Sequence, residues 1–275
     1  MDSNTNAQRI AVAACIAFLR LVNSSPAVPA SAEGAPPLNY FDRTVFVRSE
    51  VPPERPYDET RKNDTHSASG FFVAFKDQIL FVTAKHVARE TTPETQFCFL
   101  TAAGNSHFAR LFGLVADAKN PWRMHPHADL AVLVVTFSPK LDQGIADEIR
   151  ALALPFSAFE TKEAKRASRV TVCGFPIELG TWKKISPLAM TAYVASREMD
   201  LPREGNTAPT FLITPAIGAG CSGGPVFLTS DHGDADRILG IYVATYFDES
   251  GGKLSSVVPA RQIVELITET IEGKK

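Results

Sequence analysis

Short apolar runs separated by polar or turn-forming residues give the chain its dominant pattern. They occupy residues 71–75, 79–83, 96–100, 108–115 and 130–137, and a second set covers 170–173, 185–195, 211–214, 225–228, 238–246 and 254–258. Their lengths, and their content of Phe, Val, Ile and Leu, predict strands, punctuated by turn pairs such as Asn63-Asp64 and Lys76-Asp77. Residues 141–168 break the pattern, with Ile145, Ile149, Leu152 and Leu154 at helical or irregular spacing and Pro155 after them, as expected of a connection between two halves. Pro259 suits the first turn of a helix, and Ile263, Leu266, Ile267 and Ile271 supply one apolar face for it. The pattern therefore predicts an all-β chain of two barrel or sandwich units, about 39–140 and 168–258, closed by a C-terminal helix over 259–272.

The first 38 residues follow a different pattern. The uncharged run 10–19 is too short to span a bilayer. With Arg9 before it and Ala30-Ser31-Ala32 after it, the segment reads as an export signal over residues 1–32, which would make the protein secreted or periplasmic. Against that, Val12, Cys15, Ile16, Leu19 and Val22 share one helical face, Arg20 interrupts the run and Asp2 weakens the leader. The expectation adopted is a retained amphipathic helix on a cytoplasmic protein, able to dock on a partner. A Pro/Ala/Ser/Gly-rich linker over 23–38 then leads to a domain at 39–275.

With 45% hydrophobic residues in 275, the chain can bury a real core, which excludes a disordered or fibrous protein. The net charge of −2 arises from 28 basic and 30 acidic residues scattered along the sequence, so no nucleic-acid or anionic-membrane partner is expected. Four cysteines, at 15, 98, 173 and 221, lack both CxxC pairing and the density of a disulfide-stapled fold. The segment His125-Pro126-His127-Ala128-Asp129 invites a metal reading, but no further ligands stand at recognisable spacing, and neither metal nor cofactor is expected.

Three segments carry candidate chemistry. In Gly220-Cys221-Ser222-Gly223-Gly224-Pro225, glycines on both sides of a serine permit a tight turn that exposes its hydroxyl and lets a carbonyl approach the backbone amides. In the second, the apolar strand residues Phe81 and Val82 run through Thr83, Ala84 and Lys85 to His86, a base whose ordinary pKa suits activation of a hydroxyl. The third is Asp129, at the mouth of the run Leu130-Ala131-Val132-Leu133-Val134-Val135, where a carboxylate can accept the other imidazole N–H and fix its tautomer. Taken singly, a glycine turn, a strand-end histidine and an acid before a strand are ordinary structural features. Their conjunction carries the argument.

In the order His86, Asp129, Ser222, the chain resembles the chymotrypsin-like or trypsin-like serine peptidases over roughly residues 40–265. The segments at 83–87, 129–133 and 220–225, with the Val-Val-Pro-Ala-Arg-Gln-Ile stretch at 257–263, are most similar to the HtrA-like branch, although no PDZ-like domain is expected to follow. The resemblance implies a double β-barrel with the active site between barrels and a protein or peptide substrate. It implies Ser222 as nucleophile, His86 as base and later acid, Asp129 as the orienting carboxylate, and the backbone N–H groups of Gly220 and Ser222 as the oxyanion hole. It also places Ala216 at the base of the primary pocket and Thr245 near its opening, so a small or medium apolar side chain is expected there. Cys221 stands where zymogen-activated relatives carry an aspartate, so activation by a freed N-terminus is not expected. Cys221 is itself an alternative nucleophile, which the register of the glycine turn disfavours. A catalytically silent peptide-binding module and an esterase on the same fold are the competing functions.

Overall fold

The computed structural model describes residues 39–51, 64–117, 119, 121–203, 206–229 and 235–273. The expected N-terminal helix or signal and its linker lie outside the described residues. Among the described residues, no helix is long and apolar enough to cross a membrane.

The first sheet contains β1 (Thr44–Val51), β2 (Asp64–Phe75), β3 (Gln78–Thr83), β4 (Gln96–Leu100), β5 (Ser106–Arg110), β6 (Trp122–Met124), β7 (Ala131–Val135) and the two-residue β8 (Leu154–Pro155). Its strand order is β5-β4-β1-β2-β3-β7-β6, with β8 added in parallel to β2 and the remaining pairs antiparallel. The second holds β9 (Arg169–Gly174), β10 (Leu188–Val194), β11 (Met199–Arg203), β12 (Asn206–Thr214), β13 (Pro225–Thr229), β14 (Ala235–Phe247) and β15 (Lys253–Pro259). Here the order is β10-β9-β13-β14-β15-β12-β11, and β10 also pairs with β12. The two sets of apolar runs thus become two sheets, divided at the predicted connector.

Among the described residues, four α-helices accompany the sheets: α1 (Lys85–Arg89), α2 (Leu111–Leu114), α3 (Gln143–Leu152) and α4 (Ala260–Glu272). Helix α3 lies in the connector and starts at Asp142, whose carboxylate accepts from the N–H groups of Gly144 (2.8 Å) and Ile145 (3.3 Å), satisfying donors that a helix start leaves free. Helix α4 follows Pro259 and buries Ile263, Leu266 and Ile267, part of its predicted face. That face joins a cluster that holds Phe71, Leu80 and Leu133 of the first sheet together with Ile238, Ile241 and Val258 of the second, so the last element of the chain packs on a core to which both sheets contribute.

Two strand assignments require correction. The run 108–115 stays extended only to Arg110, because Leu111 and Leu114 enter the core from one helical turn; the N–H groups of Leu111 and Phe112 bond Thr95 and Pro93. The run 185–195 pairs only from Leu188, since Ile185 leaves the sheet to pack with Phe175 and Phe46. Strands β1, β6, β8 and β11 have no counterpart among the predicted runs.

Candidate active site

Strand β3 ends at Thr83, and α1 begins two residues later, so His86 lies in the first turn of a helix fixed to a buried strand. Asp129 lies in the loop between β6 and β7, a hairpin whose ends are tied by the His125 N–H to the Leu130 carbonyl (2.9 Å). The two meet through two hydrogen bonds. The His86 backbone N–H donates to Asp129 Oδ1 (3.0 Å), and Nδ1 lies 2.8 Å from Oδ2. The aspartate side chain is only 8% exposed and the imidazole 27%, so the carboxylate is shielded while the ring reaches solvent. A carboxylate only accepts, so Nδ1 carries the proton and Nε2 is left as an acceptor.

Ser222 lies on the turn between β12 and β13, and contacts from both sheets hold that turn. The Ser69 N–H donates to the Ser222 carbonyl (2.8 Å), and the Ser69 hydroxyl donates to the Gly220 carbonyl (2.8 Å) while accepting from the Phe175 N–H (3.3 Å). The Ile177 N–H donates to the Ala219 carbonyl, and the Gly223 N–H to the Tyr242 carbonyl, each at 2.8 Å. Gly220 and Gly223 have φ of +97° and +84°, a region that side chains disfavour. A Cβ on Gly223 would also collide with the Ser69 carbonyl and the Thr83 hydroxyl, so this glycine lets the serine turn press against the residues just before His86.

The structure therefore joins His86 to Asp129 directly, and the Ser222 turn to the His86 strand through Gly223. Among the described residues, no hydrogen bond joins the Ser222 hydroxyl to His86. The N–H groups of Gly220 and Ser222 likewise have no acceptor among the described residues. Cys221 packs into the second sheet's cluster: it is fully buried, its Sγ lies against Gly174, and burial pushes its thiol up to about 12. A thiol so buried and so weakly acidic is poorly suited to attack.

Ala216 is half-buried and precedes a backbone segment held by hydroxyls. Thr245 Oγ1 donates to the Ile217 carbonyl (2.8 Å), which also accepts from the Tyr242 hydroxyl (3.1 Å), while Ser255 Oγ accepts from the Ile217 N–H (2.8 Å). Thr245 is thus engaged in holding the backbone beside Ala216. The sequence reading missed Ser69, Tyr242 and Ser255, because each acts on residues far away in the chain. The same reading considered His125 only as a metal ligand, although its Nδ1 accepts from the backbone of its own turn.

A family model described as a trypsin-like peptidase domain matches residues 68–235, more than half of the chain. The chain belongs to the trypsin-like peptidase family. No curated protein sequence matches this peptidase. Among solved structures, it is similar to the MamO protease domain from Magnetospirillum magneticum (17% identity, 82% of this chain and 96% of that one, TM-score 0.53). It is also similar to the active form of the Rv3671c protease from M. tuberculosis (18%, 92% and 93%, 0.51) and to the HtrA-type protease AlgW (16%, 84% and 60%, 0.51). At these identities the likeness establishes the fold, a chymotrypsin-like all-β architecture with a C-terminal helix. Family and fold together make the chain a peptidase, a hydrolase of the trypsin-like class.

Proposed function

We propose that this peptidase is a serine endopeptidase that cleaves peptide bonds through an acyl-enzyme on Ser222. The observation that carries the reading is the paired hydrogen bonding of Asp129 to the backbone and ring of His86, which leaves Nε2 free as a base. In the first step Ser222 Oγ attacks the scissile carbonyl carbon as its proton passes to His86 Nε2. The new imidazolium is stabilised by the shielded Asp129 carboxylate. The N–H groups of Gly220 and Ser222 donate to the oxyanion, and each such donor contributes about 3 kcal/mol to the transition state in comparable sites. His86 then gives its proton to the leaving amine, and water repeats the sequence to release the acid and regenerate the serine. The Ser222 hydroxyl and His86 come into hydrogen-bond contact when substrate is bound, since such contacts are commonly loose in the free enzyme.

A peptide is the proposed substrate class; AlgW, which shares the fold, was solved with a tripeptide. Ala216, with Thr245 turned to its backbone partners, supports a preference for small or medium apolar side chains at the bond cleaved. Docking of a partner through residues 1–38 and residence in the cytoplasm belong to the same proposal and rest on sequence alone.

The test treats the protein and its Ser222→Ala variant with a fluorophosphonate probe and a diverse peptide library, read by mass spectrometry. Labelling of Ser222, with cleavage abolished in the variant, is the expected result. Labelling without cleavage would redirect the reading to an esterase, absence of both would favour the silent peptide-binding module, and a profile dominated by Arg would overturn the pocket assignment.

A further inference from the structure

The segment His125-Pro126-His127-Ala128-Asp129 has a local geometry that the catalytic reading leaves unused. His125 Nδ1 accepts two backbone hydrogen bonds, from Ala128 N–H (2.8 Å) and His127 N–H (3.2 Å). The imidazole here does what an aspartate or asparagine side chain does in a turn, satisfying N–H groups two and three residues ahead. Pro126 between them has no N–H to compete. The Leu130 N–H returns to the Ala128 carbonyl (2.9 Å), so Leu130, beyond Asp129, is joined to the ring through Ala128. Ala128 is buried, leaving its N–H no ready water partner if the ring withdraws.

We propose that His125 is a pH-sensitive positioning residue for Asp129: neutral, it holds the turn that aims the carboxylate at His86, and protonation at Nδ1 releases that turn. A protonated Nδ1 is a donor and cannot accept from Ala128 or His127, so uptake of one proton breaks both bonds. The charged groups around the ring are Lys85 from α1, His127 in the same turn, and Glu265 and Glu269 from α4. The two glutamates favour the charged ring, whereas burial, Lys85 and His127 oppose it, and burial is the largest influence. The result is a pKa below the ordinary value of 6.5, so the ring is neutral and the turn intact at neutral pH. An unfolded chain binds this proton more readily than the folded one; this contribution to stability is complete above 6.5 and falls away as the pH drops toward the folded value.

The proposal rests on the catalytic reading of Asp129, and its test includes readouts that need no turnover. The whole protein, His125→Asn and His125→Ala are compared across acid and neutral pH by the low-field proton resonance of the His86 Nδ1–H, by thermal unfolding, and by kcat and KM on a cleaved peptide. Protonation of His86 at Nε2 leaves its Nδ1–H in place, so loss of that resonance in acid reports the turn. Wild type is expected to lose the resonance in a step that His125→Asn lacks, because asparagine keeps the acceptor without titrating. His125→Asn should stay within about threefold of wild-type kcat at neutral pH, and His125→Ala should lose about tenfold in kcat with KM unchanged, an effect of about 1.4 kcal/mol. An acid step identical in wild type and His125→Asn, or a wild-type resonance in His125→Ala, overturns the proposal. If no peptide is cleaved, the resonance and the unfolding curves still decide it, and only the peptidase reading fails. If His125→Ala does not fold, His125→Asn carries the decision alone.

Discussion

Adjacent residues on one turn, Cys221 and Ser222, differ in burial, and that difference supports Ser222 over Cys221 as the proposed nucleophile. The thiol points into the second sheet's cluster, where burial raises its pKa to about 12, whereas Ser222 is only partly buried. Native protein exposed to iodoacetamide at pH 8 should leave Cys221 unmodified, and modification should appear only on denaturation; rapid native labelling at Cys221 would return it to candidacy as nucleophile. At Asp129 both carboxylate oxygens are used, on the backbone N–H and on Nδ1 of His86. Asp129→Asn replaces one acceptor by a donor and favours the wrong imidazole tautomer, so kcat should fall on the order of 10⁴-fold with the fold retained. A loss of less than tenfold would separate Asp129 from catalysis. The pairing of Asp129 with His86, and the turn at Ser222, were legible as candidates because each sits in a short segment whose local chemistry is unusual. His125 was legible only as chemistry without a role, since an imidazole accepting from its own turn leaves no spacing that differs from a ligand's.

Among the elements, the strands with continuous apolar runs and the terminal helix were readable, and the exceptions have local causes. The helical turn α2 borrows partners from residues 93 and 95, so a strand-like composition is overridden by contacts the sequence does not display. Strand β1 alternates only in part, with Arg48 and Glu50 exposed around buried Ser49, which weakens the signal of an otherwise central strand. Helix α4 was visible because Ile263, Leu266 and Ile267 repeat at helical spacing and are buried together. Its docking on a core shared by both sheets makes it a structural closure. Ile267→Ala should destabilise the protein by about 2–5 kcal/mol in denaturant titration, the range for truncating a buried aliphatic side chain. Stability within about 0.5 kcal/mol of wild type would show that the helix packs loosely.

At the scale of the molecule, the proposed mechanism needs the two sheets held in register so that a histidine beside one can reach a serine beside the other, and a buried polar tie between them passes through Ser69. This residue is fully buried in β2, yet it bonds the Ser222 carbonyl, the Gly220 carbonyl and the Phe175 N–H, all of them second-sheet or inter-strand residues. Its carbonyl also accepts from Thr83 (2.8 Å), at the end of the strand that leads to His86. One buried serine therefore couples the Ser222 turn to the strand that leads to His86. Nothing in its own neighbourhood of sequence announces that task, because its hydroxyl's partner lies 151 residues away. Ser69→Ala keeps the backbone bond to Ser222 but leaves the Gly220 carbonyl and the Phe175 N–H without the hydroxyl. The cost to stability should be about 1–3 kcal/mol, the usual range for stranded buried polar groups. Because the freed carbonyl belongs to the turn that presents the Gly220 N–H, kcat should fall further than stability alone explains, on the order of 10- to 100-fold, while KM changes little. Measuring kcat at a temperature where the variant is fully folded separates the two effects. A wild-type kcat under that condition would mean that the Ser69 backbone and Gly223 suffice to hold the turn, and that the hydroxyl contributes to folding alone.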